Sequence, residues 1–311
     1  MSSIPKFACL LGWLQIGLGT MAWPAAAAPS VQRIGPHLYA YISDDDASSN
    51  STFLVRASGI LVVDTGLNRV QGGKLLGRIR RISQAPIRYV INTQYDPDHL
   101  GGNEIIGPNA VILSTAFTRE RSMRLWNRAR RTGVGDWSRV AYRAPTLTFA
   151  GAGDWPAALR SPVIVYLDGE TVDIYAPGPG HTKSDAVVYF PSEKAVATGD
   201  LFLKRSCSDM DPGSSLANWV RSLRGILALP VTHYVPGHFE VGRRADVIRF
   251  YDYMSTLWTQ VRRLYAAGTP IGQVPAKLDM VKFANFRQFP QFNATFGDNA
   301  RDAYRQLQAR R

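Results

Sequence analysis

The feature that most constrains the fold is a series of short apolar runs, each of which stops at a polar or glycine-rich turn. The run at residues 60–63 is followed at once by an Asp-Thr-Gly turn, and the run at residues 89–91 by a segment rich in Asp and Gly. Runs of this length between turn residues are typical of buried β-strands. We predict further strands at residues 111–113, 163–167, 172–175, 186–190 and 195–198.

Segments with helical periodicity lie between these strands and after them. A helix is predicted at about residues 71–83, directly after the first strand. One later apolar stripe contains Trp219 and Leu223, and a longer one extends from Val247 to Leu264. Spacings of three and four residues place such side chains on one helix face, which packs on a core. Strands that alternate with covering helices predict a layered α/β domain.

The first 28 residues have the layout of a secretory signal peptide. Lys6 is their only charged residue, and it precedes a long apolar run and four consecutive alanines. That order of regions favours cleavage near Ala28 or Pro29. An uncleaved membrane anchor is the alternative, since the apolar run is nearly long enough to cross a bilayer. We therefore expect residues 1–28 to be removed and the mature protein to be periplasmic or secreted, without stable membrane insertion.

Charge and cysteine content narrow the set of partners. The chain has a formal net charge of +12 at pH 7, and an Arg-rich stretch at residues 119–131 is typical of a solvated helix face or of a surface that steers anions. The chain lacks the basic motif with interleaved aromatics of a nucleic-acid-binding module, so we expect a small-molecule substrate and no nucleic-acid partner. Cys9 lies in the signal peptide, which leaves Cys207 alone and excludes an intramolecular disulfide.

Polar clusters follow the apolar runs and carry the chemistry. The first contains Gln94, Asp96, Asp98 and His99 within six residues, directly after a predicted strand. Alternate residues of an extended chain project to the same side, so the first three can face one cavity, and the glycines at 101–102 allow the chain to turn. Two carboxylates this close repel one another unless a cation neutralises them. The cluster therefore predicts a metal site.

Three further turns each supply one imidazole or carboxylate. They are Pro-Gly-Pro-Gly-His ending at His181, Thr-Gly-Asp ending at Asp200 and Pro-Gly-His ending at His238. A single histidine in such a turn is usually structural, but the whole series in this order is specific. It resembles the metallo-β-lactamase superfamily, whose motif runs His-x-His-x-Asp-His, then Gly-His, Gly-Asp and Pro-Gly-His.

The resemblance extends from the Asp-Thr-Gly turn at residues 64–66 to the Pro-Gly-His turn at residues 236–238. It implies a fold of the α/β (α+β) class. Residues 29–242 would form a four-layer αββα sandwich, and loops at the inner sheets would hold the metals. Residues 243–311 would form a C-terminal helical extension that packs on the same domain.

The resemblance also implies seven metal ligands, four in an intact second site and three in an altered first site. The second site consists of Asp98, His99, His238 and a bridging Asp200. The first site keeps His181, while two histidine positions of the motif hold Gln94 and Asp96. Asp98 would also be the catalytic residue, which orients the nucleophile and passes a proton to the leaving group.

Three interpretations of the altered first site stay open. In the first, its oxygen donors bind a second ion, and their hardness favours iron or manganese over zinc. In the second, only the intact site binds an ion. In the third, the protein is a non-catalytic binder. We expect the protein to bind one or two divalent ions. Zinc is the expected metal, and iron and manganese are the alternatives.

The predicted function is that of an exported metal-dependent hydrolase. A metal ion lowers the pKa of a bound water to about 7, and the metal-bound hydroxide attacks a small acyl substrate, which is an ester, thioester, lactone or lactam. One alternative is a β-lactamase, which Asp200 disfavours because β-lactamases usually lack a carboxylate at that position. The other is a non-catalytic or redox accessory metal-binding protein. The residues that bind the substrate are not predicted.

Overall fold

The computed structural model describes residues 29–151, 155–207 and 209–309. The predicted signal peptide, residues 1–28, lies outside these ranges, and so does Cys9. Within them, no helix combines the length and the apolar character that a membrane-spanning helix needs.

Two β-sheets form the inner layers of the described chain. The first consists, in spatial order, of β1 (Ser30–Arg33), β2 (Leu38–Ile42), β3 (Ser51–Val55), β4 (Ile60–Val63), β5 (Ile87–Ile91), β6 (Val111–Thr115) and β7 (Leu147–Phe149). Its pairs are antiparallel up to β4 and parallel from β4 onward. The second consists of β8 (Val163–Leu167), β9 (Glu170–Gly178), β10 (Asp185–Phe190), β11 (Ala195–Gly199) and β12 (His233–Pro236). These five strands are spatially consecutive, and only the β11–β12 pair is parallel.

Helices connect these strands and follow them. The α-helices of the described chain are α1 (Arg69–Ile82), α2 (Pro97–Leu100), α3 (Asn103–Ile106), α4 (Ala116–Thr132), α5 (Trp155–Arg160), α6 (Leu216–Ala228), α7 (Arg244–Ala266) and α8 (Pro290–Gln308). Short 3-10 helices lie at Asp136–Arg139, Ile271–Gln273, Pro275–Lys277 and Met280–Phe283.

Polar side chains set where three of the longer helices begin. The Asn68 side chain accepts hydrogen bonds from the first backbone N–H groups of α1, and Thr115 and Ser215 do the same for α4 and α6. These N–H groups have no partner within the helix, so a side-chain acceptor stabilises the first turn. α4 ends at Gly133, whose φ of 66° is left-handed and suits glycine.

Apolar side chains between and outside the sheets define four layers. Between the sheets, Leu61 of β4 and Val188 of β10 lie in one buried cluster. On the outer face of the first sheet, Leu75 of α1 packs with Val62. On the outer face of the second sheet, Trp219 of α6 packs with side chains of β10, β11 and β12. The order helix, sheet, sheet, helix is that of an αββα sandwich, so the predicted fold class is confirmed.

Strand β4 shows why the buried strands are uniformly apolar in sequence. Leu61 and Val63 belong to the cluster between the sheets, whereas Ile60 and Val62 belong to the cluster under α1. All four side chains are at most 2% exposed. A strand covered on both faces has no solvent-facing positions and therefore does not alternate apolar with polar residues.

The helices from α7 to α8 share the core on the outer face of the second sheet. Phe250 of α7 lies in the same buried cluster as Trp219 of α6 and Tyr234 of β12. Phe283 joins this cluster and contacts Phe296 of α8 edge to face, with 4.8 Å between the ring centroids. These helices therefore add to the layer that α6 begins.

Phe283→Ala should lower the free energy of unfolding by about 3–5 kcal/mol, because it opens a cavity in this aromatic core. Phe283 is fully buried, whereas Val281 in the same short helix is 80% exposed. Val281→Ala is the matched control and should change the stability by less than about 0.5 kcal/mol. Urea denaturation followed by tryptophan fluorescence measures both variants. Equal stabilities would contradict the packing of the C-terminal helices on this core.

Candidate metal centre

Loops that follow strands of both sheets meet at one end of the sandwich. Residues 94–99 follow β5, His181 lies between β9 and β10, Asp200 follows β11, and His238 follows β12. Because β11 and β12 are parallel neighbours, their carboxyl ends bring Asp200 and His238 to the same edge. Ion-pair contacts join these residues across the two sheets. The structure thus brings together polar turns that lie far apart in the sequence.

The tightest part of this cluster is a set of four side chains, Asp98, His99, Asp200 and His238, which we call the second half-site. One ligand atom from each lies within 4.8 Å of the others. His99 Nε2 is 3.2 Å from both Asp98 Oδ2 and Asp200 Oδ2, and His238 Nε2 is 3.1 Å from Asp98 Oδ2. Ligand atoms about 2.1 Å from a tetrahedral ion stand about 3.4 Å from one another, so this spacing suits one divalent ion.

Asp64 fixes the orientation of His99. Asp64 Oδ2 lies 2.8 Å from His99 Nδ1, and the same carboxylate accepts hydrogen bonds from the backbone N–H and the hydroxyl of Thr93. With Nδ1 engaged in this way, Nε2 faces the other ligands, as in other histidines that bind metals. Asp64 has a φ of 56°, a left-handed conformation uncommon outside glycine, and this turn aims its carboxylate at the ring.

Two glycines of the motifs are required by the close approach of neighbouring groups. A Cβ added to Gly237 would stand 1.9 Å from Asp200 Oδ1, and a Cβ added to Gly199 would stand 2.6 Å from Thr93 Oγ1. Gly199 also has a φ of +51°, which side chains rarely adopt. Gly237 therefore allows the loops that carry Asp200 and His238 to touch, and Gly199 allows the loop of Asp200 to approach Thr93.

The other three predicted ligands, Gln94, Asp96 and His181, adjoin the second half-site. We call Asp96 and His181 the first half-site: His181 Nε2 is 3.7 Å from Asp96 Oδ2 and 3.5 Å from Asp200 Oδ2. His181 Nδ1 lies 2.9 Å from the backbone oxygen of Asp209, which leaves Nε2 to face the carboxylates. The Gln94 amide donates a hydrogen bond of 2.6 Å to Asp200 Oδ2. All seven residues therefore lie in one cluster around Asp200.

Sequence reasoning gave no role to Asp211 or Asp64. The Tyr95 hydroxyl donates a hydrogen bond to Asp211 Oδ2, and the Asp211 backbone N–H donates one of 3.1 Å to the His181 carbonyl. Arg121 of α4 lies over the Tyr95 ring, 5.6 Å from its centroid. The position of Asp64 directly after a buried strand was the available signal for its role. Asp211 lies in a long loop with no such signal.

Cys207 and His233 lie outside this cluster. Cys207 packs in the apolar core with α6 and α7, and burial raises the pKa of its thiol to about 12. His233 begins β12, the strand that leads to His238. Its ring contacts Arg243 and Thr232 at the surface.

Opposite charges shift the pKa values within the second half-site. Burial raises the pKa of Asp98, but His99 and His238 outweigh this effect and hold the pKa well below its usual range. The pKa of Asp200 is lowered in the same way. Burial lowers the pKa of His99, whereas the surrounding carboxylates, Asp98 and Asp200 first, raise it well above its usual value. The two carboxylates are therefore ionised ligands.

Asp96 behaves differently from these carboxylates. Burial, and then the negative charge of Asp211, raise the pKa of Asp96 to about 7. His181 opposes the shift through its hydrogen bond and its charge. Asp96 therefore holds its negative charge less firmly than Asp98 does.

The chemistry of the second half-site fits a divalent metal ion. Its two carboxylates and two imidazoles have side chains no more than 17% exposed. Asp200 Oδ1 is buried and accepts no hydrogen bond from the described residues. A buried carboxylate oxygen without a donor is costly unless a cation pairs with it. Mixed His and Asp ligands suit zinc, and they also bind iron and manganese.

Fold and site together define a class of protein, an αββα sandwich whose loops converge on a site for a divalent metal ion. The sequence profile of the metallo-beta-lactamase superfamily matches residues 44–238. The chain belongs to this superfamily, whose members are generally metal-dependent hydrolases. The resemblance seen in the sequence motifs is thereby confirmed.

Relatives cover most of the chain at low identity. The metallo-beta-lactamase type 2 of Bacillus cereus is 25% identical over 219 residues, 69% of this chain and 76% of that protein. The alpha subunit of a 2,4-dinitroanisole O-demethylase from a Nocardioides species is 26% identical over 238 residues, 75% of this chain and 62% of that protein. The solved metallo-beta-lactamase of Hirschia baltica has a TM-score of 0.58 at 16% identity, and covers 74% of this chain and 98% of its own. The solved metallo-beta-lactamase of Pontibacter korlensis has a TM-score of 0.57 at 19% identity, and covers 73% of this chain and 99% of its own. At these identities both structures support the fold alone.

Gly237→Ala should weaken metal binding by at least about tenfold, because the added Cβ displaces a ligand, Asp200. Gly77→Ala in α1 is the matched control, since a Cβ there meets nothing within 4 Å. Competition with a chromophoric chelator measures both affinities. Wild-type affinity in Gly237→Ala would show that Asp200 does not bind the ion.

Metal binding should release protons and weaken as the pH falls. The carboxylates around His99 raise the pKa of its imidazole well above the usual value, and an imidazole must lose the proton on the nitrogen that binds the metal. Isothermal titration calorimetry in two buffers with different ionisation enthalpies counts the protons released. A count of zero at neutral pH would contradict the electrostatics described above.

Proposed function

We propose that this protein is an exported hydrolase that uses a divalent metal ion to cleave a small acyl substrate, which is an ester, thioester, lactone or lactam. The second half-site carries the proposal, because it gathers one ligand atom from each of four His and Asp side chains within 4.8 Å. Membership of a superfamily of metal-dependent hydrolases supports the reaction class. The signal-peptide layout of residues 1–28 supports export to the periplasm or the medium.

The exposure of the ligands indicates the side from which a substrate approaches. The side chains of Asp98 and His238 are 17% and 16% exposed, whereas those of His99 and Asp200 are 0% and 8% exposed. A substrate that reaches the centre therefore meets Asp98 and His238 first. His99 and Asp200 form the closed floor.

Asp98 has the position and the charge that suit a residue that transfers a proton during hydrolysis. When bound, a divalent ion would lower the pKa of water and polarise a carbonyl oxygen, which is the chemistry that hydrolysis at neutral pH requires. The Asp98 carboxylate would accept a hydrogen bond from the attacking water and so orient it, and then pass the proton to the leaving group. His99 and His238 keep the pKa of Asp98 low, so its carboxylate is ionised and able to accept.

β-Lactam cleavage is the second candidate within this reaction class. The relative from Bacillus cereus is a metallo-beta-lactamase, and export would place this protein where β-lactams act. Asp200, by contrast, places a carboxylate where β-lactamases usually have none. We therefore rank esters, thioesters and lactones above lactams as substrates.

The chain from Pro29 onward, loaded in turn with zinc, iron and manganese, should hydrolyse at least one member of a panel of esters, thioesters, lactones and β-lactams. Asp98→Asn should lower kcat by about 10²- to 10⁴-fold, because it removes the group that orients the water and moves the proton. A chelator should abolish the activity, and the removed metal should restore it.

Asp252→Asn is the control for this experiment, since Asp252 lies exposed on α7 and should leave kcat unchanged. Elemental analysis of each preparation confirms that metal is bound. If every metal-loaded form were inactive on the whole panel, the hydrolase proposal would fail. A metal-binding accessory protein would then be the better interpretation.

A further inference from the structure

Gln94 stands at a histidine position of the first site, yet its side chain lies with the second half-site. Its terminal amide nitrogen is 2.6 Å from Asp200 Oδ2 and 2.8 Å from His99 Nε2. Gln94 is only 1% exposed, so its carboxamide is shielded from solvent. The carboxamide is therefore held against two ligands of the second half-site.

The oxygen of the same carboxamide lacks a hydrogen-bond donor. Gln94 Oε1 is buried and accepts no hydrogen bond from the described residues, and the same is true of Asp200 Oδ1. An unpaired buried oxygen is unfavourable, and a divalent cation is the partner that satisfies several such oxygens at once. Both oxygens belong to residues that contact one another.

A half-turn about the Cγ–Cδ bond of Gln94 exchanges the positions of its amide nitrogen and its amide oxygen. The oxygen then stands where the nitrogen stood, 2.6 Å from Asp200 Oδ2 and 2.8 Å from His99 Nε2. The other ligand atoms of the second half-site are separated by 3.1 to 3.2 Å at their closest contacts, which is a similar spacing. An amide oxygen and a carboxylate at this distance repel one another unless a cation lies between them. A cation in the second half-site therefore favours the turned carboxamide as a ligand.

The same placement leaves the first half-site short of ligands. Asp96 and His181 remain there, with 3.7 Å between Asp96 Oδ2 and His181 Nε2. Asp200 lies 3.5 Å from His181, but it already belongs to the second half-site. Because Asp200 is shared with the second half-site, the first half-site has only two ligands of its own, fewer than the three of a catalytic zinc site, and a second ion would bind there weakly.

We propose that the centre binds one divalent ion and that Gln94 is a ligand of this ion, beside Asp98, His99, Asp200 and His238. Asp96 and His181 pair with one another in the place of a second ion. This inference rests on the metal binding assumed in the proposed function. It is tested without substrate, so its failure and the failure of hydrolysis are distinguishable.

The stoichiometry is tested by dialysing the chain from Pro29 against excess Zn²⁺ or Co²⁺ and measuring its metal content. The wild type should hold one equivalent. The double variant Gln94→His with Asp96→His supplies two imidazoles beside His181 and should hold two equivalents, which makes it the positive control. Two equivalents in the wild type would overturn the proposal.

The role of Gln94 is tested by Gln94→Leu with Co²⁺ as the probe. Loss of a ligand should weaken Co²⁺ binding by at least about tenfold and shift the visible absorption spectrum of the bound ion. Gln94→Glu, which keeps an oxygen ligand, should retain the Co²⁺ equivalent. Gln71→Leu is the matched control, because Gln71 is a buried glutamine whose amide donates to Asp45 instead. An unchanged affinity and spectrum in Gln94→Leu would overturn the assignment.

Discussion

Buried carboxylates that surround shared imidazoles are the constraint on which the rest of this structure depends. The side chains of Asp64, Asp96, Asp98 and Asp200 are between 4% and 17% exposed and lie at one end of the sandwich. Such a group of negative charges is stable only if positive charge lies between them. The imidazoles supply part of that charge, and a divalent ion bound in the second half-site would supply the remainder.

The surrounding fold holds these charged groups in position. Strand β4 is covered on both faces and ends at Asp64, whose carboxylate orients the His99 ring. Gly237 allows the loops after β11 and β12 to touch, and Gly199 allows the loop after β11 to approach Thr93, which follows β5. The centre is thus assembled from rigid strand ends, which explains how its ligand atoms come within ångströms of one another although they belong to different sheets.

The departure from the family motif changes what the two halves of the centre do. Gln94 stands at a histidine position of the motif and places its carboxamide against Asp200, and burial and Asp211 raise the pKa of Asp96 to about 7. In the proposed single-ion centre, the second half-site gains the carboxamide oxygen of Gln94, and the first half-site has only Asp96 and His181 as ligands of its own. A single ion held by the second half-site would polarise a water molecule beside the Asp98 carboxylate, which is the chemistry that acyl hydrolysis requires.

The sequence by itself predicted a layered α/β domain and a metal site from local patterns, and its family resemblance implied the four-layer order and the full set of ligands. Apolar runs and helical stripes predicted β4, β10, α1 and α7, and the position of Asp and His after strands predicted the metal site. The strands β1 to β3 were not predicted, since their mixed aromatic and polar residues lack a clear period. Only the tertiary structure decided that Asp64 orients His99, that Asp211 supports His181 and that Gln94 lies with the second half-site. These contacts join residues up to 106 positions apart, and they follow from how the two sheets pack, which no local pattern encodes.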